Sequence, residues 1–564
     1  MEVEGFLALI LHAHLPYVRH PECEGGLEER WLMEAITESY IPLLEVLEGL
    51  ERDNVPVRVS VCLTPTLGSM LTDGLLQDRY RRHLERHLEL AAREQERTRG
   101  DPDFAPLAAM YRGRLERARD YWEGARSDLL SRFRGLQDRG RIELLASAAT
   151  HGYLPLLGLR RETVRAQVAV GVEAYRRSFG RDPSGFWLPE CGFNPGDDEV
   201  LREFGLRWVV LETHGVLFAS RRPRYGPFAP ILCPSGLAAF ARDVETSKQV
   251  WSSLEGYPGD YFYRDFYRDI GYDLGLDYLA PYLPGGRLRC HTGFKYYRVT
   301  GPTDQKQPYV PRLAEEKAAE HAANFLFNRS HQVEYLAQVM DRPPAVVAPY
   351  DAELFGHWWF EGPRWLDLVL RGIGRGHRLR AVTPSDYMDR FPRNQVAVPS
   401  MSSWGYKGYS EVWLEGSNDW IYRHLHLAAD RMVRLANAHP AAQGLTRRAL
   451  TQAARELLLA QASDWAFIMK AGTAADYARG RTVAHLAAFQ RLEAALSATP
   501  PGAPGDAVAL AGLDPAWLEE QESRHNLFPW LDYRVFRSDW RGPVLTRPGA
   551  EAEPAPEASV PAGG

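Results

Sequence analysis

Cysteine is scarce and unorganised in this chain of 564 residues. Cys23, Cys62, Cys191, Cys233 and Cys290 are odd in number, far apart and form no C-x-x-C pair. Such a set excludes a disulfide framework and a cysteine-based zinc site, and a reducing, cytoplasmic setting is the expectation. Long apolar runs are lacking as well. The first, residues 6–11, has no basic segment before it and is too short for a signal peptide or a membrane span, so it reads as a buried strand. Nor is positive charge in excess: 67 Lys and Arg against 73 Asp and Glu leave a formal net charge of −6. Nucleic acid and anionic membrane, which need concentrated Lys and Arg, are therefore excluded as partners, and a neutral polymer or small molecule fits better.

What is present is an ordinary core-forming composition, 45% apolar and 25% charged, with 15 Trp and 26 Tyr besides. Flat amphipathic rings suit the faces of sugars as well as cores and interfaces. Several short apolar runs break off at a polar or ionisable residue: 7–11 at His12, 57–63 at Thr64, 142–149 at Thr150 and His151, 186–189 at Glu190, 208–211 at Glu212 and His214, and 345–350 at Asp351. Continuous rather than alternating apolar strands indicate a parallel sheet covered on both faces, and barrel enzymes keep their chemistry at the carboxyl ends of such strands.

Residues 75–138 change to a charged helical pattern, expected as a helical insertion within a barrel domain spanning 1–400. His83 and His87 within it stand four apart, but no Glu follows His83 as the H-E-x-x-H pattern requires, so a solvated helix face is expected. Ala-, Leu- and Arg-rich stretches between 420 and 496 predict a second helical region, within a C-terminal domain taken as 401–545, with a Pro/Gly loop at 499–505. Residues 546–564 are mostly Pro, Ala, Glu and Gly and are expected to be a disordered tail.

Cleaving a glycosidic bond with retention needs a carboxylate nucleophile and a carboxylic acid about 5 to 5.5 Å apart. Glu190, in Gly185-Phe186-Trp187-Leu188-Pro189-Glu190-Cys191, and Asp351, in Pro349-Tyr350-Asp351-Ala352-Glu353, are two strand-end carboxylates in aromatic surroundings. Spacing alone does not choose them over Glu212 or Glu353, and an isolated strand-end carboxylate serves equally well as a helix cap or in an ion pair.

Five segments go further. His12-Ala13-His14-Leu15-Pro16-Tyr17, Ala149-Thr150-His151-Gly152-Tyr153, Trp187-Leu188-Pro189-Glu190-Cys191, Tyr350-Asp351-Ala352-Glu353-Leu354-Phe355-Gly356-His357-Trp358-Trp359 and Ser463-Asp464-Trp465-Ala466-Phe467 resemble, in order, the five motifs of family 57 glycoside hydrolases. The resemblance implies an α/β fold: an incomplete (β/α)7 barrel with an inserted helical subdomain and a C-terminal all-helical domain completing the cleft. It also implies a retaining mechanism with Glu190 as nucleophile and Asp351 as general acid/base. His12, His14 and His151 are then implied to line the subsite of the attacked sugar, with Asp464 binding hydroxyls there. No cofactor or metal is implied; a metal site of the deacetylase kind would want a His-x-x-x-His pair at a strand end, which is absent.

Within the family the chain looks most like the 1,4-α-glucan branching enzymes of glycogen biosynthesis, with α-amylase and 4-α-glucanotransferase as the alternatives. The likeness rests on residues 12–22, 404–413 and 527–536. Trp404 and Trp413 resemble a pair of sugar platforms, and Trp31 in the first loop is a weaker match for which interdomain packing is an equal alternative. In residues 251–269, Gly256, Pro258 and Gly259 break regular structure around Tyr257, which predicts a surface loop with an aromatic tip. The resemblance implies that such a tyrosine covers the cleft, and the alternative is tyrosines packed on the barrel rim. The expected partner is an α-glucan such as amylose or a glycogen-like chain.

Overall fold

The computed structural model of the chain describes residues 4–541 except 253–254, 377, 499–509 and 511. The expected loop at 499–505 and tail at 546–564 lie outside the described residues. Among the described residues the strands are β1 (Gly5–Ala13), β2 (Val59–Leu63), β3 (Ile142–Ser147), β4 (Phe186–Trp187), β5 (Trp208–Leu211), β6 (Ile231–Leu232), β7 (Ala238–Ala241), β8 (Ala345–Asp351) and β9 (Leu379–Ala381). They form two sheets, β4-β3-β2-β1-β8 with β9 beside β1, and β5-β7-β6.

The two sheets join into one ring. Gly185 pairs in parallel with Trp208, linking β4 to β5. At the other seam the Asp243 N–H donates to the Val347 carbonyl at 2.8 Å, linking the end of β7 to β8. The ring therefore runs β1-β2-β3-β4-β5-β7-β8, all of its ladders parallel, with single contacts at two seams. That is the incomplete seven-stranded barrel. Gly185 is obligatory at one seam, because a Cβ there would lie 2.3 Å from the Trp208 ring.

The alternation of side chains along the strands sorts the core into two parts. Phe6, Ala8 and Ile10 of β1 pack inward with Cys62, Leu145, Trp187, Trp208, Phe240, Ala345 and Val347. Leu7, Leu9 and Leu11 point outward against the surrounding helices. Both faces are buried, which is why β1 reads as an unbroken apolar run. Continuing the inward series by two residues brings His12 to the top of the lumen, in register with Asp351 of β8.

Helices fill the connections. Pro65–Leu71, Gly74–Arg97, Ala105–Gly124 and Leu129–Asp138 lie between β2 and β3. The expectation of a solvated His83/His87 face fails: His87 is buried, its ring stacks on His83 at 3.8 Å, and the helix turns both inward. Beyond the barrel, Trp420–Ala438, Gly444–Ala460, Ser463–Ala471, Ala475–Ser497 and Pro515–Arg524 make a C-terminal helical domain. No helix among the described residues is long and apolar enough to cross a membrane.

Candidate functional site

Glu190 follows β4 in a tight turn and is held from two directions. The Trp404 indole Nε1–H donates to its Oε2 at 2.8 Å, and the Ser463 hydroxyl donates to its Oε1 at 3.2 Å. Burial raises its pKa from the ordinary value, and the Trp404 bond opposes the rise. Asp351 at the end of β8 is pushed much further, well above the usual carboxylate range, by burial first and then by Glu353 and Glu190, with only Arg242 opposing. A site where two carboxylates are displaced unequally keeps one protonated beside one ionised.

The histidines form a directed chain. His12 Nε2 meets His151 Nε2 at 3.0 Å, and His151 Nδ1 meets the Ser463 hydroxyl at 2.9 Å. Because Ser463 donates to Glu190, His151 must carry its proton on Nδ1 and His12 on Nε2; this assignment leaves His12 Nδ1 bare, and that buried atom has no hydrogen-bond partner among the described residues. Burial, followed by neighbouring imidazoles, lowers both pKa values well below the ordinary one, so both rings are neutral. His12 also lies flat on Trp187, ring centroids 4.6 Å apart.

His14 behaves oppositely. Burial alone would lower its pKa, but the Asp464 carboxylate, 3.0 Å from Nε2, raises it overall. Its Nδ1 lies 3.0 Å from the Thr64 hydroxyl, within hydrogen-bond distance. Its backbone N–H donates to Glu353 Oε1 at 3.1 Å, which also accepts from the Tyr40 hydroxyl at 2.5 Å. Glu212 is engaged elsewhere: it caps the Thr213 N–H at 3.0 Å and pairs with Arg242 at 2.9 Å.

Among the described residues, two donor sets bring possible metal-ligand atoms within 4.8 Å of one another, His14/His151/Asp464 here and Glu456/His485/His525 in the helical domain. Their closest contacts, 3.0 Å for His14–Asp464 and 2.6 and 2.7 Å for Glu456 with its two histidines, are hydrogen-bond lengths. Ligands of a tetrahedral zinc stand further apart, about 3.3 Å for bonds of about 2.05 Å.

Comparison with known proteins fits this geometry. The family described as Glycosyl hydrolase family 57 matches residues 8–399, and the family described as 1,4-alpha-glucan branching enzyme, C-terminal, matches residues 424–536. The chain belongs to glycosyl hydrolase family 57. A 1,4-alpha-glucan branching enzyme of Thermococcus kodakarensis is 35% identical over 559 residues, covering 93% of this chain and 78% of its own length. Among solved structures, the alpha-amylase AmyC of Thermotoga maritima superposes with a TM-score of 0.87 at 40% identity, covering 94% of this chain and 99% of its own. A GH57-type branching enzyme of Pyrococcus horikoshii superposes with a TM-score of 0.85 at 35% identity, covering 96% and 98%.

The family 57 motifs thus converge: Glu190, Asp351, His12, His14, His151, Asp464 and Trp404 meet at one mouth of the barrel. Of the other three expected aromatic contacts, two are buried and one is half-buried. Trp413 is buried at 1% exposure, stacked on Tyr153 at 4.4 Å behind the 404–412 loop, so it props that loop and presents no open platform. Trp31 stands on the helix Leu27–Ala35 rather than in a loop, is half-buried, and meets Tyr477 of the helical domain edge-on at 6.1 Å. Tyr257 is no loop tip. Its ring stacks on His321 at 4.4 Å beside Trp359 and Trp365, and its hydroxyl donates to Asn324 at 2.8 Å, because the Gly-Pro breaks turn the chain inward there. Tyr40 is the residue that sequence reading missed; it sits on a single π-helical turn, Ile36–Tyr40, a local irregularity with no periodic signature.

Proposed function

We infer that the chain is a retaining 1,4-α-glucan branching enzyme, with Glu190 as nucleophile and Asp351 as general acid/base. In this reading the Glu190 carboxylate attacks C1 of a glucosyl unit while Asp351 gives its proton to the departing O4, which breaks the α-1,4 bond and leaves a glycosyl ester. Asp351, now a carboxylate, takes the proton of a glucan 6-hydroxyl as that oxygen attacks C1 and releases Glu190. His12, His151 and the His14–Asp464 pair would hold hydroxyls of the attacked sugar. Residues 1–400, with 75–138 inserted, would carry this chemistry, and 401–545 would close the cleft by supplying Trp404 and Ser463.

The observation that carries the choice of branching is the match of residues 424–536 to the branching-enzyme C-terminal family. Hydrolysis is the second reading, favoured by the 40% identity to the alpha-amylase AmyC of Thermotoga maritima. Linkage analysis after incubation with amylose tests the two. New α-1,6 branch points at constant reducing ends support branching, and reducing ends without branch points refute it.

A further inference from the structure

With Tyr257 and Trp413 buried, the aromatic surface near the site lies elsewhere. Trp358 is 52% exposed and sits seven residues beyond Asp351, its N–H donating to the Glu353 carbonyl at 3.2 Å, so the turn that carries the site also fixes this ring. One indole face is covered by Phe266, centroids 4.4 Å apart and planes 22° from parallel. Tyr267, 78% exposed, meets Phe266 edge-on at 5.2 Å. The stack is braced from beneath. Lys295 Nζ lies 4.0 Å from the Phe266 ring centre and donates to the Phe266 carbonyl at 2.5 Å, while Asp265 accepts the Tyr267 N–H at 2.7 Å and the Lys306 ammonium at 2.7 Å.

Rigid rings already in place lose little conformational entropy on binding, and a contiguous exposed apolar patch marks a binding surface. We propose that Trp358, Phe266 and Tyr267 form a remote glucan subsite, where a pyranose of a long α-1,4 chain stacks on the open face of Trp358, away from the bond being cleaved. The proposal rests on the glucan reading above. It ties affinity to chain length: a long chain reaches both this surface and Glu190, whereas a short activated donor reaches Glu190 alone.

Electrophoretic retardation in glycogen-containing gels, performed in a Glu190→Gln background so that the polymer is not consumed, tests it. Trp358→Ala is expected to weaken retardation about five- to tenfold, the scale of one aromatic contact, and Trp358→Tyr to restore most of it. Phe327→Ala, an equally exposed ring on the outer helix Pro311–Val339, is expected to change nothing. In the Glu190-intact enzyme, Trp358→Ala should lose more kcat/KM on long amylose than on maltosyl fluoride. Unchanged retardation in Trp358→Ala overturns the subsite; if sedimentation changes instead, the surface docks protein. A Glu190→Gln protein that glycogen does not retard at all overturns the glucan reading, and the subsite with it.

Discussion

Replacing Trp404 by Phe keeps most of the ring and deletes one group, the Nε1–H that donates to Glu190 Oε2 at 2.8 Å. A hydrogen bond to a charged acceptor contributes about 1.5–3 kcal/mol, and it acts only on the ionised form of Glu190. At about 1.36 kcal/mol for each tenfold change in the proton equilibrium, losing it moves the acid limb of the kcat/KM profile up by about one to two pH units. The sign follows from the proposed role: a nucleophilic Glu190 attacks when ionised, so a raised pKa means that activity is lost at a higher pH on acidification. The Ser463 bond to Oε1 remains and keeps the displacement finite. The alkaline limb, which the proposed mechanism assigns to Asp351, should stay where it is. The assay is kcat/KM for maltosyl fluoride across pH with fluoride release as readout, beside Trp404→Tyr, which also lacks the indole N–H. An acid limb that stays in place in Trp404→Phe while turnover falls would refute the reasoning and leave Trp404 as a sugar platform only.

Glu190→Gln should lose more than about 99% of turnover with an unchanged thermal midpoint, since the amide matches the carboxylate in shape but cannot form the glycosyl ester; retained turnover would remove Glu190 as nucleophile. Asp351→Asn should lose most activity on amylose yet still form a covalent adduct with a glycosyl fluoride, visible by intact mass, because fluoride needs little protonation; absence of the adduct would mean that Asp351 is not simply the acid. Glu353→Gln removes one of the charges that keep Asp351 protonated, so the alkaline limb should move to lower pH, as read by the same profile. Tyr257→Ala should destabilise by about 3–5 kcal/mol, as truncating a buried aromatic does, and leave the ratio of branching to hydrolysis unchanged; a changed ratio at full stability would return Tyr257 to the cleft.

The barrel was legible because its strands are buried on both faces, which writes them into the chain as unbroken apolar runs ending in His12, His151, Glu190 and Asp351. The short β4 is only Phe186–Trp187, so that strand was visible chiefly through the motif around Glu190. Burial of single rings was not legible. Tyr257 and Trp413 sit among glycines, prolines and polar residues that read as exposed loop, and only tertiary contacts with His321 and Tyr153 decide otherwise. The same limit applies to His83 and His87, whose helix is charged in sequence yet turns them toward the interior. Spacing did not separate the strand-end carboxylates, whereas the geometry gives them different partners: Glu212 caps and pairs, Glu353 accepts the His14 backbone N–H, and Glu190 accepts from the Trp404 indole and the Ser463 hydroxyl.

The backbone at the site explains why residues so distant in sequence must meet there. His151 and Glu190 both adopt left-handed φ values, 57° and 60°, which cost a non-glycine residue of the order of 1–3 kcal/mol each. Such conformations persist only where the surroundings impose them. The carbonyl of Glu190 accepts the Trp404 N–H at 3.0 Å, and the carbonyl of His151 accepts the Ser463 N–H at 3.1 Å. Trp404 and Ser463 are also the residues whose side chains donate to the Glu190 carboxylate. Each therefore holds a strained backbone and the Glu190 carboxylate together, so the turn and the side chain it presents are held by one pair of residues. The barrel strands alone bring Glu190 to the rim but supply neither donor. The loop before the C-terminal helices and the first turn of helix Ser463–Ala471 are consequently part of the site, and loosening either should cost turnover before it costs fold.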